Sequence, residues 1–104
     1  MLDIEPRHLT EVRRILKLYT GGLEVRAFGS RVRGSAKPHS DLDLAVMSKD
    51  PLPMNVKVGL ENALAESRLP FKVDGVYWDE TSDGFRRLID EAWELVQEGL
   101  RTER

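Results

Sequence analysis

Hydrophobic residues recur at helical spacing in the N-terminal segment. The pattern predicts a helix that begins near Glu5–Pro6, because proline suits the first turn, and that ends at Gly21-Gly22. Its apolar face consists of Leu9, Val12, Ile15, Leu16 and Tyr19. Residues 23–28 then alternate between apolar and polar side chains, which predicts a strand with Leu23, Val25 and Ala27 on one face.

The rest of the chain shows the same two patterns. A polar stretch over residues 29–40 reads as a tight turn followed by a loop that Pro38 interrupts. Residues 41–47 predict a second strand, residues 56–64 lie within a second helix, and residues 71–78 predict a third strand. A last helix is expected to open around Thr81-Ser82-Asp83 and to continue through an apolar face of Phe85, Leu88, Ile89, Ala92, Trp93, Val96 and Leu100.

This order of elements predicts the fold class. Helix, strand, short turn, strand, helix, strand and helix follow one another, with no repeat or linker between them. We expect an α/β (α+β) fold in which a small mixed sheet of about three strands packs on helices in two layers. A chain of 104 residues has room for one core, so residues 1–104 are predicted to form a single domain.

Composition and charge exclude several classes of function. Without cysteine, the chain has no disulfide framework, thiolate zinc site or thiol nucleophile. The chain has 16 basic and 18 acidic residues and so lacks the excess of positive charge that nucleic-acid-binding proteins usually carry. Direct nucleic-acid binding is therefore not expected. No segment approaches the length of a membrane span, and the first residues lack the pattern of a secretory signal; a cytoplasmic protein without membrane contact is therefore predicted.

Three aspartates occupy predicted strands, where aspartate is generally depleted. Asp41 and Asp43 are two positions apart on the second strand, so their carboxylates point to the same side. If the third strand lies beside the second, Asp74 joins them. Three converging carboxylates repel one another unless a cation compensates, and hard oxygen ligands suit Mg²⁺ or Mn²⁺.

A turn just upstream supplies the features of a phosphate site. Gly29-Ser30 ends one strand and opens a turn that exposes backbone N–H groups and a hydroxyl to an anion, and Arg31 and Arg33 follow at once. A phosphate site and a metal-binding carboxylate pair are the two halves of a phosphoryl- or nucleotidyl-transfer site.

Each of these features also has a structural interpretation. An Asp-x-Asp pair occurs often by chance, and the alternative is a solvated strand face. Arg33 can equally pair with an acidic neighbour, and His39 is better explained as an exposed loop residue. Trp93 is most simply a core residue of the last helix. Tyr77 and Trp78 can stack on a base, meet a partner or pack under that helix.

Residues 29–44 closely resemble the signature of the polymerase-β-like nucleotidyltransferase superfamily. The signature consists of Gly29-Ser30, a short spacer, Asp41-x-Asp43 on the next strand and a third aspartate, Asp74, on a later strand. The version here, with Arg33-Gly34 after the Gly-Ser pair and Ser40 before Asp41, resembles the minimal nucleotidyltransferases. Many of these are antitoxins of a HEPN ribonuclease toxin.

The resemblance implies a role for each matching residue. Gly29, Ser30, Arg33 and Ser40 would contact the nucleotide, and Asp41, Asp43 and Asp74 would be the catalytic, metal-binding residues. The cofactor would be Mg²⁺ or Mn²⁺ and the substrate ATP. The family pattern has an apolar residue after the third aspartate, and this chain has Gly75 there. Because glycine within a strand often marks a bulge, the direction of the Asp74 side chain is in question.

The leading hypothesis is a metal-dependent nucleotidyltransferase that transfers AMP from ATP to a hydroxyl, expected to be that of a tyrosine, of a partner HEPN toxin encoded by a neighbouring gene. A hetero-oligomer with that toxin is expected. One alternative is a non-catalytic antitoxin that neutralises the toxin by binding alone. A second alternative is a small-molecule nucleotidyltransferase. It is the weaker one because such enzymes carry an additional helical domain that binds the acceptor, and no such domain is predicted here.

Overall fold

The computed structural model describes residues 2–100, which form four α-helices, four strands and one turn of 3₁₀-helix. In chain order these are α1 (Pro6–Thr20), β1 (Val25–Phe28), α2 (Ser30–Arg33), β2 (Leu42–Val46), α3 (Met54–Glu66), β3 (Val73–Tyr77), the 3₁₀ turn (Trp78–Glu80), α4 (Asp83–Glu91) and β4 (Glu94–Gln97). The first helix begins at Pro6 as the sequence predicts.

The strands form one mixed sheet in the order β3-β2-β1-β4. β1 is antiparallel to both of its neighbours, β2 and β4, whereas β2 and β3 are parallel. The α3 helix provides the crossover that two adjacent parallel strands require. The predicted α/β class, with a small mixed sheet packed on helices, is confirmed, and the described sheet has four strands rather than about three.

The prediction of a long last helix is wrong in its second half. α4 ends at Glu91, and Ala92 turns to extended backbone (φ −157°, ψ 114°). The next residues pair with the outer edge of β1, where Val96 is only 3% exposed within the main core. The buried strand β1 needs hydrogen-bond partners on both sides, and that requirement outweighs the helical spacing of the apolar residues.

Trp93 is therefore not a core residue of a helix. Its side chain is 38% exposed, and the guanidinium carbon of Arg26 lies 3.9 Å from the ring centroid. This contact is a cation–π interaction on the surface beside β4. The expectation that Trp93 packs in the interior is corrected accordingly.

The two faces of the sheet carry apolar clusters of different size. The larger cluster packs α1 and α3 on the face formed by Val25, Ala27, Leu42, Leu44, Val46 and Tyr77. A smaller cluster on the other face joins Phe28, Ala45 and Ile89, with Val76, Trp78 and Phe85 packed against them beneath α4. Because Asp43 alternates with Leu42 and Leu44, it belongs to this second, less covered face.

Within residues 2–100, no helix combines the length and apolar character needed to cross a membrane.

Candidate active site

Asp43 and Asp74 lie opposite each other on neighbouring strands. They are partners in the parallel register of β2 and β3, so their side chains project from the same face of the sheet. Asp41, an exposed residue, precedes β2 directly and points to the same side as Asp43 because it is two positions away. The fold thus brings together the three aspartates that the sequence predicts.

The electrostatics of Asp43 reflect this convergence. Partial burial raises the pKa of the Asp43 carboxyl above its ordinary value, and the neighbouring negative charges of Asp74 and then Asp41 raise it further. Holding Asp43 ionised at neutral pH therefore costs free energy in the isolated chain. A bound cation would offset that cost.

Gly29 brings the turn after β1 against this carboxylate. Its backbone is in a left-handed conformation (φ 82°, ψ −156°), which favours glycine. A Cβ at this position would overlap the carboxylate of Asp43, so a larger residue cannot be added without displacing it. The antiparallel pairing of Phe28 with Asp43 fixes this approach.

Ser30 opens the single turn of α2 that follows. The Gly29 carbonyl accepts hydrogen bonds from the N–H groups of Val32 (3.1 Å) and Arg33 (3.0 Å). The N–H groups of the first turn of a helix have no partner within the helix, which leaves those of Ser30 and Arg31 available to an anion. This anion-accepting turn and the carboxylates are adjacent because β1 and β2 are neighbours.

Arg31 is a positioning residue that the sequence analysis did not assign. It is only 5% exposed, and its guanidinium donates hydrogen bonds to the carbonyls of Ser40 (2.8 and 3.0 Å), Pro38 (3.1 Å) and Asp3 (2.9 Å). It also stacks 4.3 Å from the ring centroid of Phe71. Arg31 thereby anchors the loop that leads into Asp41. The local sequence does not distinguish it from Arg33, because both lie in one polar stretch.

Arg33 and Ser40, both predicted to contact the nucleotide, have partners within the chain. The Arg33 guanidinium lies 3.2 Å from the Glu91 carboxylate at the surface. The Ser40 hydroxyl accepts a hydrogen bond from the Lys37 N–H at 2.8 Å, which closes a turn of the loop. His39 is exposed, as expected from its loop position.

Gly75 does not disturb the strand that carries Asp74. The pairing of β2 and β3 continues without a shift from Leu42↔Val73, through Leu44↔Gly75, to Val46↔Tyr77. The bulge expected at Gly75 is therefore absent from the pairing of β2 with β3. The register that sets Asp74 against Asp43 is regular on both sides of the glycine.

Comparison with known proteins identifies the family. A model of the nucleotidyltransferase domain family matches residues 7–97. The chain belongs to this nucleotidyltransferase family. The matched range contains Gly29, Ser30 and all three aspartates of the site.

Relatives of this nucleotidyltransferase have been named and solved. A probable protein adenylyltransferase MntA of Haemophilus influenzae is 43% identical over 101 residues, which are 97% of this chain and 89% of the relative. A crystal structure of a toxin-antitoxin with AMP-PNP has a TM-score of 0.72 at 24% identity, covering 89% of this chain and 74% of that chain. A crystal structure of the toxin-antitoxin MntA-HepT has a TM-score of 0.67 at 22% identity, covering 92% and 74%. Both structures share the fold of the nucleotidyltransferase.

The carboxylates of the nucleotidyltransferase match the oxygen ligands that Mg²⁺ prefers. Among residues 2–100, no three acidic or histidine side chains already surround a common metal position. Mg²⁺ is usually held by one or two carboxylates together with substrate phosphates and water. Asp41 and Asp43, next to the turn at Gly29 whose N–H groups are available to an anion, fit that requirement.

Proposed function

We propose that the chain is a metal-dependent adenylyltransferase that transfers AMP from ATP to a tyrosine hydroxyl on a partner HEPN toxin and so acts as its antitoxin. The register that places Asp43 opposite Asp74 and beside Gly29 carries this proposal. The name of the Haemophilus influenzae relative and the toxin-antitoxin structures with the same fold support it. A cytoplasmic location, where ATP and the toxin are both available, is part of the proposal.

Each site residue has a role in this proposal. Asp41 and Asp43 hold Mg²⁺ or Mn²⁺, which when bound neutralises phosphate charge. Gly29 and Ser30 receive the triphosphate through the N–H groups and hydroxyl of the turn. When the nucleotide binds, the Arg33 guanidinium leaves the Glu91 carboxylate and binds a phosphate oxygen instead. Ser40 lies beside the nucleotide, directly before Asp41.

The reaction is a substitution at the α-phosphorus of ATP. The acceptor oxygen forms a bond to that phosphorus while the bond from phosphorus to the β-phosphate oxygen breaks, and pyrophosphate leaves with the electron pair. Asp74 accepts or orients the hydroxyl proton, since a carboxylate is a suitable base for a positioned hydroxyl. The Asp74 carboxylate lies 3.3 Å from the Lys72 ammonium group, at the rim of the site.

A direct test is to incubate the purified chain with ATP, Mg²⁺ and the product of the neighbouring gene, and to measure the intact mass of that partner. We expect a gain equal to one or more AMP groups. An unchanged mass, with the chain folded and the partner present in excess, would refute the proposed activity.

The alternative of a non-catalytic antitoxin requires a second experiment. Two features favour this alternative, Gly75 and the small size of the chain, and the regular pairing of β2 and β3 through Gly75 removes the first. In cells that express the toxin, the double variant Asp41→Asn, Asp43→Asn is expected to lose protection while still accumulating as a folded protein. Full protection by this variant would show that binding alone neutralises the toxin.

A further inference from the structure

The outer edge of β3 is a free strand edge in the part of the chain that the structure describes. β3 is the terminal strand of the sheet, with β2 on its other side. The Leu42 N–H donates to the Lys72 carbonyl (2.9 Å), so the backbone groups of Lys72, and by alternation those of Asp74 and Val76, face β2. The N–H and C=O groups of Val73, Gly75 and Tyr77 therefore point outward.

Two of the features that usually protect a free edge, a bulge and a proline, are missing from β3, and its one charged residue, Asp74, is paired with Lys72 just before the strand. Natural sheets cover such edges with bulges, prolines or charged side chains. The other terminal strand, β4, has a register shift where it pairs with β1, whereas β3 is regular along its length. The middle residue of β3 is Gly75, which is exposed and would have no atom within 4 Å of an added Cβ. An approaching strand thus meets bare backbone.

Two grooves extend along this edge. One, of about 460 Å³, lies between β3 and α3, and the other, of about 610 Å³, lies between β3 and the start of α4. Glu61 lines both grooves, and Glu80 lines the second. Glu61 accepts a hydrogen bond from the Tyr77 hydroxyl at 3.3 Å but has no cationic partner within residues 2–100. Glu80, in contrast, is paired with Lys57. An occupant with a basic side chain near Glu61 would supply that partner.

We propose that the acceptor protein presents its hydroxyl on an extended, basic segment that adds as a fifth strand to the outer edge of β3. This inference rests on the proposed function, since the occupant is the substrate of the transfer. An added strand lies about 4.8 Å from β3 and pairs with outward N–H and C=O groups. A side chain on the same face as Asp74 then lies beside it, so one strand both binds the acceptor backbone and carries the base for its hydroxyl.

Hydrogen exchange on the complex with the neighbouring gene product tests the docking without any substitution. In the chain alone, we expect the outward amides of Val73, Gly75 and Tyr77 to exchange faster than those of Asp74 and Val76, which pair with β2. On complex formation we expect the Gly75 amide to slow by at least about tenfold, with the amide of Asp74 little changed. Unchanged exchange at Gly75 in the complex, or a partner that forms no complex, would overturn the proposal.

A proline substitution tests the same edge by kinetics. Gly75→Pro removes an outward N–H, a position where an edge strand tolerates proline, so the sheet keeps its internal bonds. The matched control is Gly84→Pro, in the first turn of α4, where an added Cβ also meets no atom within 4 Å and proline is tolerated.

We expect Gly75→Pro to raise the KM for the acceptor at least about tenfold while the affinity for ATP stays within twofold, and Gly84→Pro to change neither. Equal acceptor KM for Gly75→Pro and the wild type would overturn the docking and leave the proposed transferase standing. A wild-type chain that transfers nothing would refute the proposed function, and hydrogen exchange on the complex would then decide the docking by itself.

Discussion

Asp43 faces Asp74 across the parallel pairing of β2 and β3. Neither carboxylate is part of the apolar core. Partial burial and repulsion from Asp74 both raise the pKa of Asp43. The isolated chain therefore carries an electrostatic cost at the place where the proposed catalysis requires negative charge. Such opposition between stability and function is common at active sites.

The first prediction concerns the stability of the metal-free chain. Asp43→Asn removes the repelling charge and should raise the free energy of unfolding at pH 7 by up to about 1 kcal/mol. Urea denaturation in the presence of a chelator measures this change. The control is Asp50→Asn, at an exposed position in the connection after β2, which should change stability little. A variant Asp43→Asn no more stable than wild type would contradict the account.

The same carboxyl gives a pH dependence with a definite sign. Because the pKa of Asp43 is higher in the folded chain than in the unfolded chain, the folded state binds the proton more tightly. The ionised Asp43 carboxylate destabilises the fold fully above its raised pKa. This destabilisation fades as the pH falls toward 3.8, the ordinary pKa of aspartate. The stability difference between Asp43→Asn and the wild type should therefore shrink from pH 7 to pH 4. Denaturation curves that show a constant or growing difference would speak against it.

A pair of glycine substitutions tests the close approach at the site. Gly29 and Gly34 both have a positive φ (82° and 83°), but their ψ angles differ (−156° and 12°), and only at Gly29 would an added Cβ meet the Asp43 carboxylate. Gly34→Ala should cost about 1 kcal/mol from the backbone alone. Gly29→Ala should cost more and should also weaken ATP binding, as measured by calorimetry. Equal effects of the two substitutions on ATP affinity would rule out the proposed role of Gly29.

Local patterns are sufficient to predict most of the fold and the convergence of the three aspartates near the turn at Gly29. The two-residue spacing of Asp41 and Asp43 on a strand fixes their common side, and the turn at Gly29 is evident from its residues. The predicted second half of the last helix is wrong because Trp93, Val96 and Leu100 continue a helical spacing, while pairing with the edge of β1 decides the conformation of residues 94–97. Arg31 was missed for a similar reason, since its carbonyl partners on Pro38 and Asp3 are distant in sequence. Long-range hydrogen bonding is not visible in local periodicity.

Arg31 and Arg33 should differ sharply on substitution. Arg31→Met leaves the carbonyls of Ser40, Pro38 and Asp3 without their donor and should destabilise the chain by about 2–4 kcal/mol. Arg33→Met removes one surface ion pair and should cost less than about 1 kcal/mol. Thermal denaturation of the two variants gives the comparison. A mild effect at Arg31 would show that the loop before Asp41 does not depend on it.

Removal of the divalent cation should separate activity from folding. The core is built from apolar contacts of α1 and α3 with the sheet, and none of these involves the aspartates. We expect a chelator to abolish AMP transfer and to leave the far-ultraviolet circular dichroism unchanged. Unfolding by the chelator would assign the metal a structural role and contradict the proposed site.

The central claim is nucleotidyl transfer by the carboxylate site, and the fate of the α-phosphate tests it most directly. The purified chain is incubated with the partner, Mg²⁺ and ATP labelled in either the α- or the γ-phosphate. We predict that label from the α-phosphate alone enters the partner, and that Asp41→Asn with Asp43→Asn lowers the rate by at least about 10³-fold. Label from the γ-phosphate, or equal labelling by the double variant and the wild type, would contradict the account.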